Sequence, residues 1–336
     1  MKYQTITDFN EITEEEWNQT LAQSQFDSVF LRYGFQQAWW EHLGGGEWEN
    51  GSLRIITAKD DGDLVGIAPL FLTEVNGERQ IHFIGSLEIC DYLDFIVPAE
   101  KSQEFISHAL EIANEGADKI ILYNIPDQSP TLKVLKEMAG AGNWSVETEK
   151  AYHTPAIALP EDWDTYLMGI DKKQRHEIRR KIRRVEGSEE DQVSWHIIGS
   201  DDDLDKAIID FTSLMENNTD KANFLRDEMR LQMDSIMRWA ADEGILQLAF
   251  LTINGKNAAG YISFDYDDRI WVYNSGFSPG YGYYSPGWVL LAYLIQHAIE
   301  SRKTYFDFMR GDEKYKYKFG AEDSFVMRAV ISQKKG

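Results

Sequence analysis

The sequence predicts an α/β protein in which one unit of mixed strands and helices occurs twice. Residues 270–320 show the unit most clearly. An alternating strand from Ile270 to Phe277 leads through a turn rich in Gly and Tyr to an apolar helix from Trp288 to Ile299, and a second strand runs from Lys303 to Met309. A helix between two strands is typical of a parallel crossover, in which the helix begins beside the strand ends and anionic ligands tend to bind there.

Two hairpin signals indicate the repeat. Gly62 and Gly255 each follow an Asp or Asn in a tight turn and precede a strand of small residues, and they lie 193 residues apart. The later strands that begin at Asp118 and Lys303 lie 185 residues apart. This nearly constant offset predicts two copies of one α/β unit. A chance likeness between two α/β domains is the alternative.

The composition is that of a globular protein long enough for two domains, since 43% of the 336 residues are hydrophobic. No low-complexity linker marks a division. We place the boundary near Lys150, so the predicted domains are 1–150 and 151–336.

Charge and cysteine content exclude several classes of protein. The net charge of −22 repels nucleic acid and anionic membrane surfaces. Cys90 is the single cysteine, which excludes an intramolecular disulfide, a cysteine zinc site and a CxxC redox pair. The first residues lack the apolar stretch of a signal peptide, and no apolar run has the length of a membrane span. We therefore expect a cytoplasmic protein without general nucleic-acid binding.

Missing motifs narrow the activity further. The chain has no Walker loop, no HExxH, no GxSxG and no clustering among its seven histidines. NTPase, metalloprotease and serine-hydrolase activities therefore have no support, and no metal is expected.

Five stretches together resemble a known family. They are FLRYGFQQAWWEHLGG at 30–45, DYLDFIV at 91–97, KKQRHEIRRKIRRVE at 172–186, YSPGWVLLAYLIQHAIE at 284–300 and FDFMRGDEKYKYKFGAE at 306–322. In this order they resemble the CelD-like (cellulose biosynthesis type) acetyltransferase family, a branch of the GNAT N-acetyltransferase superfamily related to the Fem peptidyltransferases. The resemblance implies two tandem GNAT-like domains, each a mixed β-sheet flanked by helices. It also implies an acyl-CoA co-substrate, such as acetyl-CoA, in the C-terminal domain, and a link to exopolysaccharide biosynthesis.

The turn GYGYYSPG is the expected CoA site. Ser285 is a favoured N-cap whose hydroxyl should bond a first-turn N–H, and Pro286 is tolerated at the first helical position. The positive helix end suits a pyrophosphate, and Gly282 and Gly287 would let it approach the backbone. With Gly276 on the preceding strand, we assign Gly282, Ser285 and Gly287 to cofactor binding. The turn lacks the Arg or Gln of the usual GNAT pyrophosphate motif, and an ordinary capped helix is the alternative.

The charged segment that follows the second strand is the expected catalytic segment. Acyl transfer to an amine needs a base for the ammonium proton and an acid for the departing thiolate. We assign the first role to Asp312 or Glu313 and the second to Tyr315. Backbone N–H groups on the strand from Val272 to Gly276 are expected to stabilise the oxyanion. A solvated charged turn is the alternative.

Further residues are assigned to substrate binding. Arg310 and Lys316 belong to the same segment. Asp307 alternates with Phe306 and Phe308, so it points away from their face, toward the pocket or toward a structural Arg.

A basic helix provides the remaining candidates. Residues 172–184 hold eight Lys or Arg and one Glu, a local charge of +7. Arg175 and Arg179 project beside an apolar stripe that contains Ile178 and Ile182, and we assign both arginines to substrate binding. We expect this helix to face the groove between the domains and to clamp a phosphate-bearing acceptor or the phosphates of CoA. A helix that neutralises its own acidic protein is the alternative. In the first half, Asp91 and Asp94 are expected either to face the same groove or to cap a turn.

These observations favour an acyl-CoA-dependent acyltransferase acting on an amine or hydroxyl of a small or saccharide acceptor. A Fem-like transferase that uses aminoacyl-tRNA is the second hypothesis, and a catalytically silent binding protein with a GNAT fold is the third.

Overall fold

The computed structural model describes residues 1–46, 48 and 50–334. The strands are β1 (Lys2–Ile6), β2 (Ser52–Leu53), β3 (Ile55–Asp60), β4 (Asp63–Ala68), β5 (Leu70–Val75), β6 (Glu78–Phe83), β7 (Lys119–Pro126), β8 (Trp144–His153), β9 (Ala156–Ala158), β10 (Val193–Ile197), β11 (Leu246–Ile253), β12 (Lys256–Tyr266), β13 (Arg269–Phe277), β14 (Tyr305–Asp307) and β15 (Phe325–Gln333). The helices are α1 (Glu14–Leu21), α2 (Tyr33–Leu43), α3 (Ser102–Ala113), α4 (Pro130–Gly140), α5 (Trp163–Gly169), α6 (Lys172–Glu186), α7 (Leu204–Glu216), α8 (Thr219–Phe224), α9 (Asp227–Asp242), α10 (Pro286–Glu300) and α11 (Lys314–Lys318).

The chain forms two compact units. The first contains Met1–His153 and the C-terminal segment from Ser324, and the second is Thr154–Asp323. We expected the C-terminal segment in the second domain. Instead β15 pairs antiparallel with both β7 and β8, so it is an inner strand of the first unit's sheet. Val326, Ala329 and Ile331 of this strand are buried, which explains why an apolar tail returns to that sheet.

The first unit holds two sheets. A three-stranded sheet has the order β1-β3-β4, and a six-stranded sheet has the order β2-β5-β6-β7-β15-β8. The strands β6 and β7 are parallel, with α3 between them in sequence.

The second unit is one six-stranded mixed sheet, of order β10-β11-β12-β13-β14-β9, with helices on both faces. Alternate residues of β11 separate the two cores, because successive side chains of a strand point to opposite faces. Ala249 and Leu251 belong to a core that includes α10, whereas Leu248 and Phe250 belong to a core that includes Phe211 of α7. The helix α10 is apolar on most faces, and nine of its residues are buried as the sequence predicts.

The order of elements repeats between the units. Gly62 lies in the turn between β3 and β4, and Gly255 lies in the turn between β11 and β12. Each hairpin extends an antiparallel pairing with the preceding edge strand, β1 or β10. A parallel pair joined through a helix follows in both units, as β6-α3-β7 and as β13-α10-β14. The predicted fold of two similar α/β units is therefore confirmed.

The strand β14 is shorter than predicted, and this opens the sheet. Parallel pairing joins Arg269–Trp271 of β13 to Tyr305–Asp307 and ends there, although β13 continues along β12 to Phe277. The second half of β13 therefore has an edge that β14 does not cover. Within the described residues, no helix is both long and apolar enough to cross a membrane.

Candidate functional site

A pocket of about 340 Å³ lies at this opening in the second unit. Its walls come from β12, the end of β13, the turn before α10, the first turns of α10, and α11. They include Tyr261, Ser275, Ser285, Gly287, Trp288 and Tyr315. A cleft of this size with an apolar wall and a few polar groups is typical of a small-molecule site.

The start of α10 differs from its predicted cap. Ser285 adopts the left-handed conformation with φ of 51°, and its side chain forms no capping hydrogen bond. Its carbonyl oxygen accepts from Trp288 N at 3.0 Å and from Val289 N at 3.1 Å. Its hydroxyl accepts from Lys181 Nζ at 2.9 Å. The prediction of a hydroxyl cap is wrong, and the helix start is left without a side-chain partner.

The glycines of the turn leave room for a ligand. A Cβ at Gly282 would meet no heavy atom within 4 Å, and one at Gly287 would meet only the side chain of Phe277, at 3.7 Å. Neither glycine is therefore required by packing. Gly276 differs, because a Cβ there would lie 2.6 Å from the backbone of Leu214 and Met215. Its small size allows close packing of β13 on α7, which is a structural role and not the cofactor role we predicted.

The basic helix α6 reaches this turn through two residues. Arg184 donates to the carbonyl oxygen of Tyr283 at 2.7 Å, and Lys181 binds the Ser285 hydroxyl. Lys181 Nζ also lies 4.8 Å from the ring centroid of Trp288. Burial lowers the pKa of Lys181 and outweighs the opposing effect of Glu177. A partly desolvated ammonium group thus lies beside an uncapped helix start, where an anion is favoured.

The two arginines chosen from the sequence lie elsewhere on α6. Arg175 donates to the carbonyl oxygen of Leu167 at 3.2 Å, and Arg179 lies 3.7 Å from Asp164. Both contacts tie α6 to α5 and its neighbouring loop. They do not bring Arg175 or Arg179 to the turn before α10.

Lys221 on α8 holds the open end of β13. Its ammonium donates to Asn274 Oδ1 at 2.9 Å, to the carbonyl oxygen of Ser275, and to Ser275 Oγ at 3.4 Å. Burial lowers the pKa of Lys221 to about 8, while Glu313 acts in the opposite direction. Because Ser275 lines the pocket, this lysine fixes part of the pocket wall.

Two tyrosines place phenol groups in the pocket. Burial, with a smaller contribution from Glu313, raises the pKa of Tyr315 well above its ordinary value. Burial has the same effect on the pKa of Tyr261, which also has a side-chain hydrogen bond to Ser275. Both phenols therefore stay protonated at neutral pH and can donate hydrogen bonds.

The segment between β14 and α11 is fastened by Lys316, which is almost fully buried. Its Nζ donates to the carbonyl oxygens of Met309, Arg310 and Gly311 at 3.4, 2.9 and 3.0 Å and pairs with Glu313 at 2.8 Å. Lys316 is thus a clamp within the loop, and these contacts favour a structural role over the predicted role in substrate binding.

The two predicted carboxylates differ in what they face. Asp312 and Glu313 are both exposed, so neither has the desolvated setting that we expected of a general base. The charge of Glu313 affects the pKa values of Tyr315, Lys221 and Tyr317, whereas that of Asp312 affects the pKa of Tyr317. Because Tyr315 lines the pocket and Lys221 contacts Ser275 in its wall, Glu313 is the carboxylate nearer the pocket.

Asp307 belongs to the sheet and not to the pocket. It is 1% exposed, pairs with Arg269 Nη1 at 3.0 Å and accepts from Met309 N at 2.8 Å. Asp307 was expected to point either toward the pocket or toward a structural arginine, and in the structure it contacts the arginine. These contacts favour a structural role, and the assignment of Asp307 to substrate binding stays a prediction.

In the first unit, Asp94 is a fully buried carboxylate beside the start of α4. It accepts from Ser129 Oγ and Thr131 Oγ1, both at 2.5 Å, and from Phe95 N at 2.8 Å. Burial raises its pKa to about 6, since desolvation outweighs these hydrogen bonds. Of the two roles considered for this residue, the contacts match turn capping.

The molecule consists of two α/β units of similar element order, each with a mixed sheet flanked by helices. The Acetyltransferase (GNAT) domain family matches residues 172–317, a range that contains the pocket and both of the strands that open it. No curated protein sequence matches the chain.

Solved structures of similar fold extend over both domains. The structure of FemX matches with a TM-score of 0.66 and 13% sequence identity. The match covers 98% of this chain and 97% of the FemX chain. A conserved protein of unknown function from Bacteroides thetaiotaomicron has a TM-score of 0.61 and 11% identity, covering 97% of this chain and 100% of its own. At these identities the likeness establishes the fold.

Sequence reasoning missed several residues of the pocket region. Lys181 and Arg184 lie in the basic stretch of α6. Tertiary packing determines which side of α6 faces α10, so the sequence alone does not show that these two residues reach the pocket. Trp288 begins the predicted apolar helix, and nothing in the sequence indicates that it lines a pocket. The local sequence gives no sign that Lys221 is part of a site. It lies in a short helix capped by Asn218, and it contacts β13 only in the folded chain.

Proposed function

We propose that the second domain binds an acyl-CoA in the pocket beside α10 and transfers its acyl group to an amine or hydroxyl of a small or saccharide acceptor. The CelD-like resemblance suggests an acceptor from exopolysaccharide biosynthesis, in the cytoplasm. Acetyl-CoA is the first donor to test, because the GNAT domain family that matches this region is an acetyltransferase family.

One observation carries the proposal. A pocket at the end of an opened strand pair adjoins a helix start that has no side-chain cap, and the ammonium of Lys181 lies 2.9 Å from the Ser285 hydroxyl at that start. The N–H group of Gly287 and the positive end of the helix favour a pyrophosphate there. Gly287 leaves the space that a phosphate needs to approach the backbone.

The residues around the pocket provide the groups that acyl transfer requires. The acceptor's nitrogen or oxygen forms a bond to the thioester carbonyl carbon, and the carbon–sulfur bond breaks. We assign Tyr315 to protonate the departing thiolate, because its phenol lines the pocket and stays protonated. We assign Glu313 to accept the acceptor's proton, directly or through water, since it is the carboxylate nearer the pocket. Backbone N–H groups on the open edge of β13 are assigned to the developing oxyanion.

A Fem-like transferase using aminoacyl-tRNA is the second candidate. The observation that favours it is the structural likeness to FemX, which covers 98% of this chain and so includes both domains. The net charge of −22 disfavours a nucleic-acid substrate.

Ligand-dependent thermal unfolding separates these candidates. Acetyl-CoA, succinyl-CoA, a long-chain acyl-CoA and an aminoacyl-tRNA would each be added to the full chain. We expect at least one acyl-CoA to raise the melting temperature and the aminoacyl-tRNA to leave it unchanged. If no acyl-CoA moves the transition, the acyl-CoA proposal fails. Stabilisation by aminoacyl-tRNA alone would favour the Fem-like transferase.

A further inference from the structure

Tyr283 is a large aromatic side chain that the protein holds out into solvent. It lies on the six-residue, kinked 3-10 segment Pro279–Tyr284, just before the helix start at Ser285, and is 69% exposed. An exposed aromatic ring beside a pocket offers a face on which a planar ligand group can stack.

The ring of Tyr283 is held in place from two directions. The guanidinium of Arg184 lies 4.8 Å from its centroid, and the same arginine donates to the Tyr283 carbonyl oxygen at 2.7 Å. Tyr284 packs its ring edge-on at 5.0 Å, and the Tyr284 hydroxyl is anchored by Asp191 at 2.5 Å. Arg184 covers one face of the ring and Tyr284 contacts its edge. Because the side chain is still mostly exposed, the opposite face of the ring lies in solvent.

Two cations of α6 lie at this turn. The guanidinium of Arg184 lies over the ring of Tyr283, and Lys181 donates to the Ser285 hydroxyl. Lys181 also pairs with Glu177 at 3.7 Å, whereas Arg184 has no ion pair to a carboxylate within the described residues. Cations beside an exposed ring match the chemistry of a nucleotide, which combines a planar base with phosphates.

We propose that Tyr283 and Arg184 form the subsite for the adenine nucleotide end of CoA, with the base stacked on the open face of Tyr283. This inference rests on the proposed function, since it extends the ligand from the pyrophosphate at Ser285 and Gly287 to its nucleotide. Two residues of extended chain span at most about 7 Å. One bound nucleotide can therefore place its base on Tyr283 and its phosphates at the helix start.

The test is the affinity of acetyl-CoA and of adenosine 3′,5′-bisphosphate, measured by calorimetry on the full chain. Tyr283→Ala should weaken the binding of both ligands about 30-fold, the middle of the range for loss of one stacked base. Tyr283→Phe keeps the ring and should bind both as the wild type does. Tyr305→Ala is a matched control, because Tyr305 is also exposed, at 42%, and also has an arginine, Arg269, over its ring at 4.8 Å. It lies away from the turn and should leave both affinities unchanged.

Three outcomes would overturn the subsite. Tyr283→Ala could bind acetyl-CoA as tightly as the wild type, which would leave the proposed function standing without this subsite. Tyr283→Phe could weaken binding as much as Tyr283→Ala, which would exclude stacking as the cause. Tyr305→Ala could weaken binding equally, which would indicate a general effect of removing an exposed ring. If the wild type binds no acetyl-CoA, the proposed function itself fails.

Discussion

Replacing Gly287 by Asp should separate ligand binding from folding. The side chain fits, because a Cβ at this position meets only Phe277, at 3.7 Å. Position 287 is in the first turn of α10, where a carboxylate interacts favourably with the helix dipole by about 0.5 kcal/mol. The free protein should therefore be as stable as the wild type or slightly more stable.

The same carboxylate should strongly weaken a bound pyrophosphate. Two unit charges about 5 Å apart repel by about 3 kcal/mol at an effective dielectric constant of about 20. That repulsion weakens binding by about 100-fold. At a ligand concentration of about 100 times the wild-type dissociation constant, the wild type gains about 2.7 kcal/mol, whereas the variant gains about 0.4 kcal/mol.

Differential scanning fluorimetry with acetyl-CoA measures this difference. For a domain of this size the wild-type gain corresponds to a rise of about 5 to 10 °C in melting temperature, against about 1 °C for Gly287→Asp. Gly287→Asn is the matched control, because it adds similar bulk without the charge and should keep a larger part of the shift. An equal shift in Gly287→Asp and the wild type would refute a pyrophosphate at this helix start.

Three further predictions concern buried charges. The pKa of Lys221 in the folded protein is about 8, below its ordinary value of 10.5, so the folded state loses this proton at lower pH than the unfolded state does. The free energy of unfolding should therefore rise by up to about 3 kcal/mol between pH 8 and pH 10.5. Urea unfolding measures this rise, and Lys221→Met should abolish it. Folding raises the pKa of Asp94 from 3.8 to about 6, so up to about 3 kcal/mol of stability should be lost as pH rises through this range. If Asp94→Asn loses the same stability over this range, Asp94 is not the group responsible. Asp307→Asn leaves Arg269 without its partner and should cost about 3 kcal/mol of stability while acetyl-CoA affinity stays unchanged; reduced affinity at full stability would return Asp307 to the binding site.

Periodicity and turn chemistry were sufficient for the fold. The apolar helix α10, the hairpins at Gly62 and Gly255 and the repeated order of strands all follow from local patterns. The placement of β15 does not, because a strand near the C-terminus could pair within the sheet of either unit. Only the pairing with β7 and β8 assigns it to the first unit.

The candidate site was predictable where the chain itself brings groups together. Gly282, Ser285 and Gly287 are close in sequence and all line the pocket, and Tyr315 follows from its position after β14. The structural contacts of Asp307 and Lys316 could not be predicted, because a charged residue has the same local signal whether it faces a ligand, an arginine or backbone carbonyl oxygens. Contacts between distant segments decide which of these applies.

The most direct test of acyl-CoA binding at the start of α10 is a crystal structure of the protein with acetyl-CoA. We predict pyrophosphate oxygens at hydrogen-bond distance, about 2.7–3.2 Å, from Gly287 N and Lys181 Nζ, with the acetyl group near Tyr315. Acetyl-CoA bound in the first domain, or bound with its pyrophosphate away from this turn, would contradict the proposal.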